Sequence, residues 1–197
     1  PGHKIVAADS AQGEARILAY LAGQQDLVDA FAAGRDVYSE FASDVYGRPV
    51  DRKHVKADYI PGQVGKVGIL QLGFGSGWYT AAMGFAKGML GAPPIIFTMA
   101  DMDALQVDPS RFLGNPKNIQ RVNEMPSRLD LNARLIHCAV TKALVDRYRA
   151  RYPAIPAHWG LMEHVISAMI RGDEIVFAAH GLLRTGKECI YLPNGMK

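Results

Sequence analysis

The chain has 197 residues, 49% hydrophobic and 21% charged, and its 22 Lys plus Arg against 19 Asp plus Glu give a formal charge of +3. That size and balance allow a real buried core and exclude a disordered or fibrous chain, while so mild a charge excludes a protein that coats nucleic acid through charge alone. Apolar runs broken by Gly, Pro or charge, and no basic-then-hydrophobic start, argue against a membrane span or secretory leader; Cys138 and Cys189 are too few for a disulfide framework and fit free thiols in a reducing, cytoplasmic setting.

In chain order, Ile5 to Ala8 is a short apolar run that predicts a buried strand with Asp9 at its tip. Gly13 marks a turn, and Ala15, Ile17, Leu18 and Leu21 recur at helical spacing, so Glu14 and Arg16 fall in the first turn of a helix packed back on the strand. Two carboxylates, Asp9 and Glu14, are then within reach of one cleft. A strand-end Asp with hard oxygens suits Mg²⁺ and phosphoryl transfer, although the same spacing also fits a turn former or helix cap.

The segments 25–33 and 37–45 predict two short helices closed by Gly34 and Gly47, with Asp26 and Asp36 as N-caps. After the charged segment 51–58 comes Gln63-Val64-Gly65-Lys66-Val67-Gly68-Ile69-Leu70-Gln71-Leu72-Gly73-Phe74-Gly75, in which Lys66, Leu70 and Phe74 recur every four residues. At helical pitch these three drift only about 80° and so share one face. An ammonium beside a flat apolar surface suits a nucleotide, with charge for the phosphates and a wall for the base; ordinary core packing gives the same pattern.

Further on, 78–90 reads as a helix, 95–98 as a strand, and 99–124 as mixed loop, with Asp101 and Asp103 in a surface turn. Residues 130–151 form the clearest helix, with Ala133, Ile136, Ala139, Val140, Ala143, Leu144 and Tyr148 on one stripe. The Pro153 and Pro156 segment interrupts it before a second helix over 157–170, and 174–179 and 188–192 read as strands. His137, His158 and His164 lack a mutual metal-ligand spacing and read as packing or surface residues.

The segment Ala8-Asp9-Ser10-Ala11-Gln12-Gly13-Glu14-Ala15-Arg16 resembles motif A of the family A DNA polymerases, commonly Ala-Asp-Tyr-Ser-Gln-Ile-Glu-Leu-Arg. The resemblance implies that Asp9 binds both catalytic Mg²⁺ ions, with the backbone carbonyl of Ser10 as a further ligand. It implies that Glu14 is the steric gate that favours deoxynucleotides, and that Gln12 and Arg16 contact DNA. Gln63 to Gly75 resembles motif B in the Gly-Lys…Gly-Tyr-Gly form of phage members. By that likeness Lys66 contacts the triphosphate and is catalytic, Leu70 packs beside the nucleotide, and Phe74-Gly75 stands for Tyr-Gly at the insertion site. Two departures stand out: the family's Arg four residues before the Lys is Gly62 here, and Phe74 lacks the usual hydroxyl.

The likeness runs through Tyr148-Arg149, Tyr152-Pro153, Ile155 and Trp159, which resemble the fingers segment before the palm, to Leu192-Pro193-Asn194-Gly195. A His-Asp-Glu motif C does not occur, and Asp173-Glu174 follows Gly172 rather than His. The expectation is therefore an α+β, mostly helical piece of a right-hand polymerase. Its partial palm strand-helix unit covers 1–44, its helical fingers 45–172, and strands returning toward the palm 173–197. The implied activity is attack of a primer 3′-hydroxyl on a dNTP along primer-template DNA with two Mg²⁺, carried poorly or not at all by this piece alone. A noncatalytic nucleotide-binding module is the alternative; an RNA polymerase piece is disfavoured by Glu14. The Gly-Lys…Gly-Phe-Gly variant points to a bacteriophage, with the infected bacterial cytoplasm as its location.

Overall fold

The computed structural model describes residues 11–125 and 128–196. The strand expected over 5–8, with Asp9 and Ser10 beyond it, lies outside the described residues. The described residues form a largely helical fold with one small sheet, in keeping with the α+β expectation.

Helix α1 (Gly13–Ala22) starts at Gln12, whose φ of 59° makes it a left-handed hinge, and ends on Gly23. Helices α2 (Gln25–Ala32) and α3 (Val37–Tyr46) follow the expected bounds. Asp36 caps α3 by accepting hydrogen bonds from the Tyr38 and Ser39 amides. Asp26 is not a cap: Gln24 holds that position in α2, and Asp26 in the first turn accepts from the Gln24 side chain and the Leu27 amide.

Helix α4 (Tyr59–Val67) lies across α3 and runs without a break into a π-helical turn, Gly68–Leu72. Glycines let it approach closely. A Cβ at Gly65 would sit 2.1 Å from the Tyr38 carbonyl oxygen, and one at Gly68 would sit 2.5 Å from the Phe41 ring. Helix α5 (Trp78–Lys87) is three residues shorter than expected, because Gly88 takes a φ of 75° and turns the chain away.

The expected strand at 95–98 is an extended segment without a strand partner. Its backbone is satisfied otherwise: the Ile95 amide donates to the Phe85 carbonyl and the Phe97 amide to Nδ1 of His137. The expected loop over 99–124 instead holds three short helices, α6 (Met99–Ala104), α7 (Ser110–Leu113) and α8 (Pro116–Asn123). Asp101 therefore belongs to a capping box with Thr98 rather than to a surface turn, and Asp103 lies within α6.

The long helix α9 (Leu131–Arg151) is capped by Asp130 as its length requires. Its middle is covered all round rather than along one stripe, with His137, Cys138, Ala139, Val140 and Thr141 all buried. Helix α10 (Ala154–Arg171) begins three residues before the expected start, since a proline in the first turn, Pro156, costs no hydrogen bond there. Beyond it, β1 (Val176–Phe177), β2 (Leu183–Gly186) and β3 (Cys189–Tyr191) form an antiparallel sheet in chain order. The outer two fall within the expected strands, and β2 was not expected.

The main core joins Ala15 and Ala19 of α1, Phe31, Phe41, Val64, Ile69, Leu72, Phe85, Phe97, Leu144 and Tyr148. A smaller one gathers Phe112, Val122 and Met125 against Ala82, Cys138 and Ala139. Among the described residues no helix is long and apolar enough to cross a membrane.

Candidate functional site

The start of α1 meets the outward side of the α4–π helix. A narrow cleft of about 70 Å³ opens between them, lined by Glu14, Ala15 and Leu18 from α1 and by Ile69, Leu70, Gly73 and Phe74 from the facing helix. Its floor depends on Gly73: a Cβ there would come within 3.0 Å of the Leu18 side chain and 3.4 Å of the Tyr148 hydroxyl. Three of the residues singled out in the sequence, Glu14, Leu70 and Phe74, are thus brought together. Lys66 and Gly75 do not line the cleft itself.

The π turn is what keeps the four-residue row in line. In an α-helix a step of four overshoots a full turn, whereas the wider π turn, bonded i to i+5, makes the same step fall short and cancels part of the drift. Leu70 sits half-buried within that turn, and Phe74 emerges just past it with 69% of its surface exposed. Gly75 follows at a φ of 77°, and the Trp159 indole of α10, with the Arg149 guanidinium 5.9 Å over its ring, lies beneath that turn.

Lys66, one turn before Leu70, donates from Nζ to the Leu90 carbonyl at 2.6 Å. The Gln12 side chain lies near the Tyr38 hydroxyl on α3. Burial pushes the Tyr38 hydroxyl above its ordinary range, while the Gln12 side chain and the Arg52 charge pull the other way and Asp36 and Glu14 add to the rise. Arg16 is bound within the chain: Nε donates to the Ala11 carbonyl at 3.0 Å, Nη1 to the Phe31 carbonyl at 3.3 Å, and the guanidinium lies 4.8 Å over the Phe31 ring.

Gly62, where the polymerase pattern has an arginine, is buried beneath Arg52. A Cβ there would fall 2.2 Å from the Arg52 Cβ. Arg52 donates from Nε to Asp36 at 2.9 Å and lies 4.8 Å over the Tyr38 ring, so its guanidinium is held on α3 while its aliphatic stem covers Gly62 in the first turn of α4. That loop is pinned by Asp58, which accepts from the Arg48 side chain at 2.7 Å and the Asp51 amide at 2.8 Å; these bonds hold its carboxyl below the usual range. Tyr38 and Arg52 are the residues that motif reading passed over. Tyr38 falls within the run 37–45, which reads only as a short helix, and nothing in the spacing ties Arg52 to Gly62.

Among the described residues no group of three His, Cys, Asp or Glu converges as a metal site requires. The donors named for Mg²⁺, Asp9 and the Ser10 carbonyl, lie outside the described residues. They are hard oxygens, the donor type that the ion takes. His137 is spoken for within the core: it receives the Phe97 amide at Nδ1, donates from Nε2 to the Ala82 carbonyl at 2.9 Å, and stacks on Phe97. Cys138 is buried beside it, with its thiol pushed up to about 12.

Part of the chain is similar to DNA polymerases. About a quarter of the chain is similar to DNA polymerase I: 43% identical over 51 residues to that of Rhizobium leguminosarum, covering 26% of this chain and 5% of the relative. The DNA polymerase I of Mycobacterium tuberculosis is 40% identical over 60 residues, 27% of this chain and 7% of the relative. The thermostable DNA polymerase I of Thermus aquaticus is 44% identical over 48 residues, 24% and 6%. The matched stretch is thus a small fraction of each of these much longer proteins. No family model matches the chain, and no solved structure matches it.

Proposed function

We propose that this chain is part of a family A, phage-type DNA polymerase, with residues 1–44 from the palm, 45–172 from the fingers and 173–197 returning toward the palm. The observation that carries the reading is the cleft itself. Glu14 from the first motif and Leu70 with Phe74 from the second lie more than fifty residues apart in sequence and line one opening. The opening has room for a few ligand atoms, so in this reading the sugar edge of a deoxynucleotide enters beside Glu14 while its base lies against the exposed Phe74 ring. Leu70 walls the same side, Gly75 frees the chain beyond it, and Lys66 supplies positive charge to the triphosphate.

The reaction is attack of a primer 3′-hydroxyl oxygen on the α-phosphorus of the dNTP. The new oxygen–phosphorus bond forms as the bond to the bridging oxygen breaks, and pyrophosphate leaves. Mg²⁺, held by Asp9 and the Ser10 carbonyl, supplies charge neutralisation when bound. Gln12 and Arg16, on the same turn as Glu14, take the DNA side. With a single metal-binding carboxylate in its motifs, the chain by itself binds nucleotide but extends primers poorly or not at all.

Titration of the 197-residue chain with dATP and Mg²⁺ tests this reading. Lys66→Met and Phe74→Ala are each expected to weaken binding about fivefold or more, and unchanged affinity in both would overturn it. Primer extension completes the test: robust synthesis by this chain would sink the view that a second carboxylate is needed. In a longer polymerase carrying this segment, Glu14→Ala is expected to admit ribonucleotides.

A further inference from the structure

The Lys66 ammonium is held by the backbone of the turn that follows α5. After α5 the chain reverses at Gly88, whose φ is 75°; a Cβ there would meet the Ala92 oxygen and the Pro94 nitrogen, each at 2.9 Å. It then makes a tight turn in which the Ala92 amide donates to the Met89 carbonyl at 2.9 Å. Both central residues have positive φ, Leu90 at 55° and Gly91 at 76°. That is the signature of a type I′ turn, which asks for Asn, Asp or Gly at the first central position. A leucine there is strained, and with 39% of its surface exposed it gains little packing in return. The conformation turns the Leu90 carbonyl onto Nζ of Lys66 at 2.6 Å, and a Cβ at Gly91 would lie 3.7 Å from that same nitrogen.

We propose that the Met89–Ala92 turn is a positioning device for Lys66. The Leu90 carbonyl takes one of the three ammonium donors and fixes the other two for the phosphates of a nucleoside triphosphate. This rests on the nucleotide reading above and adds to it a second element, the turn after α5, as a determinant of triphosphate affinity. The strained leucine is kept because its carbonyl, rather than its side chain, is the functional group.

The test has two readouts on the 197-residue chain. Lys66 reactivity toward trace acetic anhydride, followed by mass spectrometry without nucleotide, reads the contact directly; dATP affinity with Mg²⁺ reads its consequence. Leu90→Pro forbids a positive φ, and Gly91→Val penalises one next door, where a Cβ meets Lys66 Nζ at an ordinary contact distance of 3.7 Å, so that a folding failure in either leaves the other. Each is expected to raise Lys66 labelling several-fold and to weaken dATP binding about tenfold, the scale of one hydrogen bond to a charged group. Leu90→Gly, which adopts the same φ freely, is expected to leave both near wild type. In a Lys66→Met background the turn variants should cost nothing further. Equal labelling in wild type and both turn variants, unchanged or tighter dATP binding in them, or an undiminished loss in the Lys66→Met background overturns the positioning role. Equal dATP affinity in wild type and Lys66→Met overturns instead the reading on which it rests.

Discussion

Gly65→Ala provides the sharpest test of how the site helix is seated. The new Cβ would lie 2.1 Å from the Tyr38 carbonyl oxygen, 3.0 Å from its carbon and 3.0 Å from Ala42 Cβ. Ordinary contact begins near 3.4 Å, so α3 and α4 must separate by more than an ångström, and a backbone oxygen cannot rotate aside as a side chain would. The separation loosens contacts around Val37, Phe41, Ala42 and Val64, all buried at this crossing. Overpacking of this kind costs about 3 kcal/mol, at the upper end of the usual range, against a helix-propensity gain of about 1 kcal/mol for replacing glycine. A net loss of ~2 kcal/mol lowers Tm by roughly 4–8 °C for a chain of this size. The control is Gly160→Ala on α10, where a Cβ meets nothing within 4 Å. There the propensity term acts alone and stability rises by about 0.5–1 kcal/mol. Thermal unfolding followed by circular dichroism reads both. A Gly65→Ala protein that melts at or above the wild-type temperature would refute the close crossing, since roughly 4 °C or more of loss is demanded.

Three other outcomes rest on the same contacts. Phe74→Ala should change unfolding midpoints by less than about 0.5 kcal/mol, because the ring is exposed, while dATP affinity falls by the ~1–3 kcal/mol of a lost base stack; a large stability loss in urea titration would contradict this. Restoring the polymerase pattern with Gly62→Arg should destabilise the chain by about 1–3 kcal/mol and fail to tighten dATP binding, since Arg52 already fills that space; a tighter-binding variant would show that the pocket yields. Burial holds the His137 pKa below its ordinary 6.5, with the bond to Ala82 opposing the shift only in part. The unfolded chain therefore takes up a proton first: stability is full above that ordinary value and declines as pH falls through it toward the folded-state value. Urea midpoints at neutral and acid pH should show that decline, and His137→Gln should flatten it.

Several of these features were legible in the sequence because they are local. Helical periodicity located α1, α2, α3 and α9, and Asp36 caps where a capping residue precedes a periodic run. The failures came where a distant partner decides. Ile95 to Thr98 has strand-forming residues, yet its amides found the Phe85 carbonyl at the end of the preceding helix and the His137 ring 40 residues beyond Phe97, neither of which the local pattern announces. The helices over 99–123 are short, with their caps hidden among prolines and polar residues that also read as loop. In the candidate site the row Lys66, Leu70, Phe74 was readable, but the π turn was not. The strained carbonyl at Leu90 was not readable either, because a leucine gives no sign of a positive φ in the sequence.

The glycines of the site helix tie its stability to its site. Gly62, Gly65, Gly68 and Gly73 weaken α4 and its π turn as a helix, by up to about 1 kcal/mol at each interior position. In exchange Gly65 and Gly68 lie against the Tyr38 carbonyl and the Phe41 ring, where a Cβ would fall at 2.1 and 2.5 Å, while Gly62 and Gly73 sit close on Arg52, Leu18 and Tyr148. Because these contacts fall to glycine, the larger side chains of the segment project elsewhere: Val64, Val67 and Leu72 into the core, and Leu70 and Phe74 to the cleft mouth. A helix built only for stability would not surrender propensity on one face while leaving an aromatic ring uncovered on another. On the nucleotide reading proposed above, a base lying beside Glu14 is what covers the exposed Phe74 ring in the working state.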